Sequence, residues 1–187
     1  MNAPVRNEAR FDRAQFEKMA RAGVFGRDRV ELRQGKIALM SPQFLPHGRV
    51  KLRLATSLEY MLAAHSLGWE VLSETSVDAA QDFQPIPDIV VFDSALVPEH
   101  LDGAIPLAAV KLVVEVADAT LADDIGEKLL EYARAGVAEY WVADVKGRLI
   151  LRHAGPSETG FARREPVLFG QPAHWLTQDL SVETGRL

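Results

Sequence analysis

Cysteine is absent from the 187 residues. That excludes a disulfide framework, a thiolate zinc site and a cysteine nucleophile. No apolar run approaches the ~20 residues that a membrane span needs. Met1 to Arg10 is polar, with no apolar stretch of the kind a secretory signal carries. These absences lead us to expect a cytoplasmic protein. There is no glycine-rich phosphate loop ending in Lys-Ser/Thr and no Gly-x-Ser-x-Gly elbow. The five histidines, His47, His65, His100, His153 and His174, show no i,i+4 zinc pairing. An excess of basic charge is also missing. With 21 Lys+Arg against 26 Asp+Glu, the net charge is -5 and the pI is near 5.6. Domains that hold nucleic acid by overall charge usually sit above pI ~9. Acid clustered around a metal ion remains compatible with this balance, provided a local basic patch meets phosphate.

What is present is an average soluble composition, 48% hydrophobic and 25% charged. A chain of this length buries roughly 70% of its unfolded surface. We expect a single domain over residues 1–187, with a core at about 11–152 and a C-terminal extension at 153–187. Arg10 to Arg21 reads as a short helix. Arg29 to Leu32 and Lys36 to Met40 read as a hairpin turning at Gln34–Gly35. Val50, Leu54, Leu58, Met61 and Leu62 make His47 to His65 an amphipathic helix. Strands follow at Glu70 to Val77, Asp88 to Phe92 and Val110 to Val116. Thr120 to Ala135 reads as one helix, with Thr120 and Asp123 in capping-box spacing and Gly136 at its end. Val137 to Ala143 and Arg148 to Arg152 are further strands. Beyond them Pro156, Gly160, Pro166, Gly170 and Pro172 break the tail into short pieces. The order gives an α/β (α+β) fold, a mixed sheet flanked by helices.

The chemistry lies in acids on apolar strands. Glu115 interrupts Leu112–Val113–Val114–Glu115–Val116. A buried carboxylate there must be paired, protonated, metal-bound or at an exposed strand end. Asp88 opens another apolar strand directly after Pro87. If the two strands are neighbours, the carboxylates converge and offer hard oxygens suited to Mg²⁺. Lys128 follows on the next helix, with Asp124 and Tyr132 at i−4 and i+4. An ammonium there can orient an attacking water and offset charge on phosphate. Each residue also has an ordinary reading. Asp88 can be a strand-end acid, Glu115 half of a structural ion pair, Asp124–Lys128 an exposed i,i+4 pair, and His47 a helix start.

In order, Pro87–Asp88–Ile89–Val90–Val91, Leu112 to Val116 and Asp124–x₃–Lys128–x₃–Tyr132–x₃–Gly136–Val137–x–Glu139–Tyr140–Trp141–Val142–x–Asp144 resemble the Uma-type restriction endonuclease family of the PD-(D/E)XK nuclease superfamily. Val30–Glu31–Leu32, Gly35, Met40–Ser41–Pro42 and His47 resemble its upstream segment. The resemblance spans roughly Phe11 to Arg152. It implies a restriction-endonuclease-like core, with Asp88 and Glu115 as metal-binding acids and Lys128 as the catalytic lysine. It also implies that Glu31 completes the site. In the common superfamily pattern the lysine lies two residues after the second acid. That position is Ala117 here, and Lys128 matches the place to which the lysine moves in similar families. The family's Ser-Pro-Ser/Thr loop is replaced by Asp118–Ala119–Thr120.

The expected function is a Mg²⁺- or Mn²⁺-dependent endonuclease acting on DNA through Asp88, Glu115 and Lys128, supported by Glu31, His47, Asp124 and Tyr132. The alternative is a catalytically inactive nuclease-fold module that binds a ligand or oligomerises. Arg49, Lys51, Arg53 and Arg163–Arg164 are candidate phosphate contacts. Tyr140 and Trp141, on a strand, read as core or interface aromatics, and with Trp175 in the tail they offer aromatic surface for a homo-oligomer.

Overall fold

The computed structural model describes residues 8–187. The polar start therefore lies largely outside the described residues. Asp12 caps α1 (Arg13–Arg21): its carboxylate accepts from the Gln15 N–H, and the Gln15 side chain accepts from the Asp12 N–H. β1 (Val30–Arg33) and β2 (Lys36–Leu39) form the expected hairpin. Gln34 and Gly35 take φ of 50° and 72°, as a two-residue turn with both central residues left-handed requires. α2 (Leu45–Ala64) starts two residues before His47 and buries His47, Val50, Leu54, Leu58, Met61 and Leu62. Pro46 sits in its first turn, where a missing N–H costs nothing.

β3 (Trp69–Ser73) and β4 (Val77–Asp78) replace the single strand expected from Glu70 to Val77. The chain turns at Glu74, whose φ is 55°. β5 (Ile89–Asp93) follows, then β6 (Ile105–Pro106), which pairs in parallel with β4, and β7 (Val110–Ala117). The helix expected from Thr120 to Ala135 is broken into α3 (Leu121–Asp124) and α4 (Glu127–Ala135). Gly126 explains the break. A Cβ there would sit 2.5 Å from the Ala122 carbonyl oxygen. The Thr120–Asp123 capping box does not form, because the Thr120 hydroxyl donates to Asp124 instead. Gly136 closes α4 in the left-handed conformation, at φ 89°.

β8 (Glu139–Asp144), β9 (Leu149–Ser157) and β10 (Gly160–Leu168) complete the main sheet, and β11 (Ala173–His174) pairs with β12 (Ser181–Val182). The tail is thus more regular than its prolines imply. Pro166 falls on β10, which is an edge strand, where a missing donor is tolerated. Among the described residues the sheet order is β10-β9-β8-β7-β5-β3, with β7 and β8 parallel and the other pairs antiparallel.

Both faces of this sheet are covered, which is why β5 and β7 read as nearly continuous apolar runs. Ile89, Val91, Leu112, Val114 and Val116 pack with α2 and the tail around Trp141 and Trp175. Val90, Phe92, Val113 and Ala117 pack with Tyr132 and Tyr140 on the α4 side. Trp175 meets Trp141 edge-on, with ring centroids 6.0 Å apart. Tyr140 and Trp141 are fully buried and Trp175 nearly so. The expected aromatic surface is absent: these rings fill the protein's own core, because the tail folds back over them.

Candidate active site

β5 and β7 pair Val90 with Val113 and Ile89 with Val114. One further step of that register sets Asp88 opposite Glu115. Strand alternation puts Glu115 on the face of Val113 and Ala117, and Asp88 on the face of Val90 and Phe92. That is the α4 side of the sheet. Like charges directly opposite one another are destabilising. Here both are also withdrawn from water, at 6% exposure for Asp88 and 4% for Glu115.

Asp88 is well supplied with donors. Its Oδ1 accepts from His47 Nε2 at 2.9 Å and from Gln43 Nε2 at 3.0 Å. Its Oδ2 accepts from the Val116 N–H at 2.8 Å. Lys51 Nζ lies 3.7 Å from Oδ1. Burial opposes the charge, but His47, the Val116 N–H and Lys51 outweigh it and hold this carboxyl below its ordinary range.

Glu115 is poorly supplied. Its Oε1 accepts from Tyr132 OH at 2.8 Å and faces Lys128 Nζ at 3.0 Å. Burial pushes its carboxyl up to about 8; Lys128 pulls it down, while Asp88, Asp124 and Glu31 push it up. The glycine break after α3 lets α4 start afresh, so Lys128 lies in the first turn of its own helix and points at the sheet. Glu31 Oε1 is 3.7 Å from the same ammonium, and Glu31 Oε2 accepts from the Ile86 N–H. Burial disfavours the charge on Lys128, but Glu115, Glu31 and Asp124 overcome it and raise its pKa.

Asp124 is buried, yet Lys128 turns to Glu115 and Glu31, so the exposed i,i+4 pair does not exist. Asp124 instead accepts the Thr120 hydroxyl at 2.5 Å, and its backbone carbonyl accepts from Tyr140 OH. Burial raises the Asp124 carboxyl. Tyr132 touches Glu115 directly, and burial raises its phenol well above the ordinary range. Lys51, singled out as a phosphate contact, points inward and binds Gln43 and Glu74. Its spacing of four from His47 put it on the same helix face, a signal that could have found it. Gln43 left no such signal. Arg33 was also missed: it grips Asp123 through two hydrogen bonds and Glu131 through a third, tying β1 to α3 and α4.

Glu31, Arg33, His47, Asp88, Glu115, Asp123, Asp124 and Lys128 line one cavity of about 270 Å³, whereas Tyr132 and Lys51 stand behind its wall. Residues 38–44 and 118–120, with Ile86 and Val116, complete the lining. Among the described residues, six carboxylates, Glu31, Asp88, Glu115, Asp118, Asp123 and Asp124, line it, against the two cations Arg33 and Lys128. Among the described residues no group of three or more His, Asp or Glu side chains is arranged to hold a metal ion. The donor set still fits one: two hard carboxylates lie side by side, and Glu115 Oε2 has no hydrogen-bond partner among the described residues.

A mixed sheet flanked by helices, carrying a cavity of this kind at the ends of β5 and β7, is a nuclease-like architecture. The chain belongs to the Uma2 family, whose model carries the description "Putative restriction endonuclease" and matches residues 13–183. It is also similar to the crystal structure of "a putative nuclease belonging to DUF820" from Anabaena variabilis. The TM-score is 0.63 at 15% identity, covering 80% of this chain and 83% of that one. At that identity the likeness establishes the fold. No curated protein matches the sequence. No helix among the described residues is long and apolar enough to cross a membrane.

Proposed function

We propose that this chain is a Mg²⁺- or Mn²⁺-dependent endonuclease that hydrolyses phosphodiester bonds of DNA. One observation carries the reading. Asp88, just before β5, and Glu115 on β7 sit side by side, and Lys128 stands 3.0 Å from Glu115 in the same cavity. Two carboxylates and no sulfur or imidazole cluster suit a hard cation. When bound, such a cation would supply Lewis-acid polarisation of the phosphate and a nucleophile at neutral pH.

The protein's own groups do the rest. His47, Gln43 and the Val116 N–H fix the orientation of Asp88. Tyr132 holds Glu115 Oε1 and leaves Oε2 free to coordinate. Glu115, Glu31 and Asp124 favour the charged form of Lys128, so it serves as a donor and a positive charge toward the attacking water and the phosphate. Glu31 holds the ammonium from its other side. DNA as substrate follows the family description, and the cation offsets the acid excess that phosphate would otherwise meet.

The test is cleavage of supercoiled plasmid with Mg²⁺ or Mn²⁺, run beside calorimetric titration of the metal. Cleavage in the parent, lost in Asp88→Ala together with metal binding, supports the reading. The six carboxylates around the cavity favour a second reading, a nuclease fold that binds without cutting. Metal binding without cleavage of any nucleic acid would select it.

A further inference from the structure

The outer face of α2 is unlike its buried face. Phe44, the N-cap residue, is 71% exposed and lines the acidic cavity. Along the helix from it, Leu45, Arg49, Leu52, Arg53 and Tyr60 fall on one outward stripe, and Tyr60 is 70% exposed. From Phe44 to Tyr60 the helix spans about 24 Å. The stripe ends at a second cavity, about 680 Å³, between α2 and the tail. Arg53, Tyr60, His65 and Arg186 line it, with Glu183 as its acid. Arg53 also donates to the Arg186 carbonyl, which fixes the tail beside the stripe.

Phe44 is not loose on the surface. Gln43 before it and His47 after it both hydrogen-bond Asp88. The exposed ring is therefore held at a set place beside the proposed metal ligands. Aromatic rings at each end of a stripe, with arginines between them, are what a single strand of nucleic acid requires. Unstacked bases lie on the rings and phosphates meet the guanidiniums. A paired duplex cannot use exposed Phe or Tyr this way, since its bases are already stacked.

We infer that the outer face of α2 is a track for an unpaired strand of nucleic acid, running from Phe44 at the cavity to Tyr60 at the tail. The inference rests on the nuclease reading and narrows its substrate to nucleic acid with unpaired bases beside the scissile bond. Continuity with the cavity and the three arginines, Arg49, Arg53 and Arg186, favour this occupant over a protein. Glu59 and Glu183 are the acids set against them.

The test is fluorescence anisotropy in EDTA at low salt, where no metal-dependent cutting occurs. The probes are a fluorescein-labelled single strand of about 12 nucleotides and a blunt duplex of the same sequence. The parent binds the single strand more tightly than the duplex. Phe44→Ala and Tyr60→Ala each weaken single-strand binding by roughly tenfold, the scale of one base–aromatic stack, and shrink the single-strand preference. Phe44→Trp restores it, with its fluorescence quenched by the bound strand. Arg49→Glu weakens binding and flattens its salt dependence. Equal binding of the two probes by the parent, or alanine variants that bind as the parent does, would overturn the inference. So would sedimentation showing a dimer that Leu52→Glu dissociates while single-strand binding is unchanged. Cleavage in Mg²⁺ of the labelled single strand, with supercoiled plasmid beside it, reports separately: cutting without single-strand preference in binding removes the track alone, and single-strand binding without cutting of either substrate removes the nuclease reading alone.

Discussion

Two glutamates on neighbouring parallel strands, Glu139 on β8 and Glu115 on β7, are both buried, and their surroundings differ in kind. Glu139 receives Trp141 Nε1 at 2.6 Å, the Leu176 and Thr177 N–H groups at 2.9 Å, and the Thr177 hydroxyl at 2.6 Å. Neutral donors fill both of its oxygens, and in return it pins the tail onto the sheet. Glu115 has one hydroxyl and one ammonium, with Asp88, Asp124 and Glu31 crowding in. A carboxylate that serves the fold is saturated with donors. One left short of donors among other acids leaves room for a cation. Position in an apolar strand does not separate the two; the donors do.

The comparison is sharpest at the lysine. Lys128→Ala should leave metal affinity intact or slightly higher, because a nearby positive charge is gone. Cleavage should fall by ~10²–10³-fold, the scale of one lost transition-state contact. Metal titration and plasmid cleavage on the same preparation check both halves. Next is the saturated glutamate. Glu139→Ala strands several buried donors at about 1–3 kcal/mol each, so we expect about 3 kcal/mol or more of lost stability by urea unfolding, with metal affinity unchanged. A variant as stable as the parent would show that the tail clamp is ornamental.

Smaller effects follow. His153 lies on β9 beside Tyr140, whose carbonyl faces its Nδ1. Burial lowers its pKa from the ordinary 6.5. The unfolded chain therefore takes up the proton first. Stability from this group is complete above about 6.5 and drains away as pH falls from there through the folded value. Between pH 8 and pH 5 the melting temperature of the parent should therefore drop relative to that of His153→Gln, since the raised Glu115 and Asp124 carboxyls act equally on both. The smallest change is expected from Glu115→Gln. Glutamine mimics the protonated acid that burial favours, so metal-free stability should shift by no more than about 1 kcal/mol, one hydrogen bond's worth. A loss as large as that of Glu139→Ala would erase the distinction between the two sites.

Much of this was legible in the chain. The hairpin at Gln34–Gly35, the α2 stripe and the apolar strands around Asp88 and Glu115 all follow from periodicity and turn chemistry. The break at Gly126 was not, because the segment is rich in helix formers and only the backbone shows that a side chain at this glycine would run into the Ala122 carbonyl oxygen. The tail reads as fragments because Pro156 and Pro166 look like breakers, yet Pro166 falls on the edge strand β10 and Pro156 lies beyond the part of β9 that pairs with β8. The acids and the lysine were visible as exceptions in apolar patterns. Gln43 and Arg33 were not, because each reaches its partner across a large sequence separation. The aromatics misled: Tyr140, Trp141 and Trp175 looked surplus to one core, and the tail's return buries them.

The central claim is that Asp88 and Glu115 share a cation where Glu139 holds none. Calorimetric titration of Mn²⁺ into the parent, Asp88→Ala, Glu115→Gln and Glu139→Ala tests it most directly. The account predicts saturable binding in the parent and in Glu139→Ala, and its loss in both Asp88→Ala and Glu115→Gln. No binding in the parent, or binding that survives in Asp88→Ala, would contradict it.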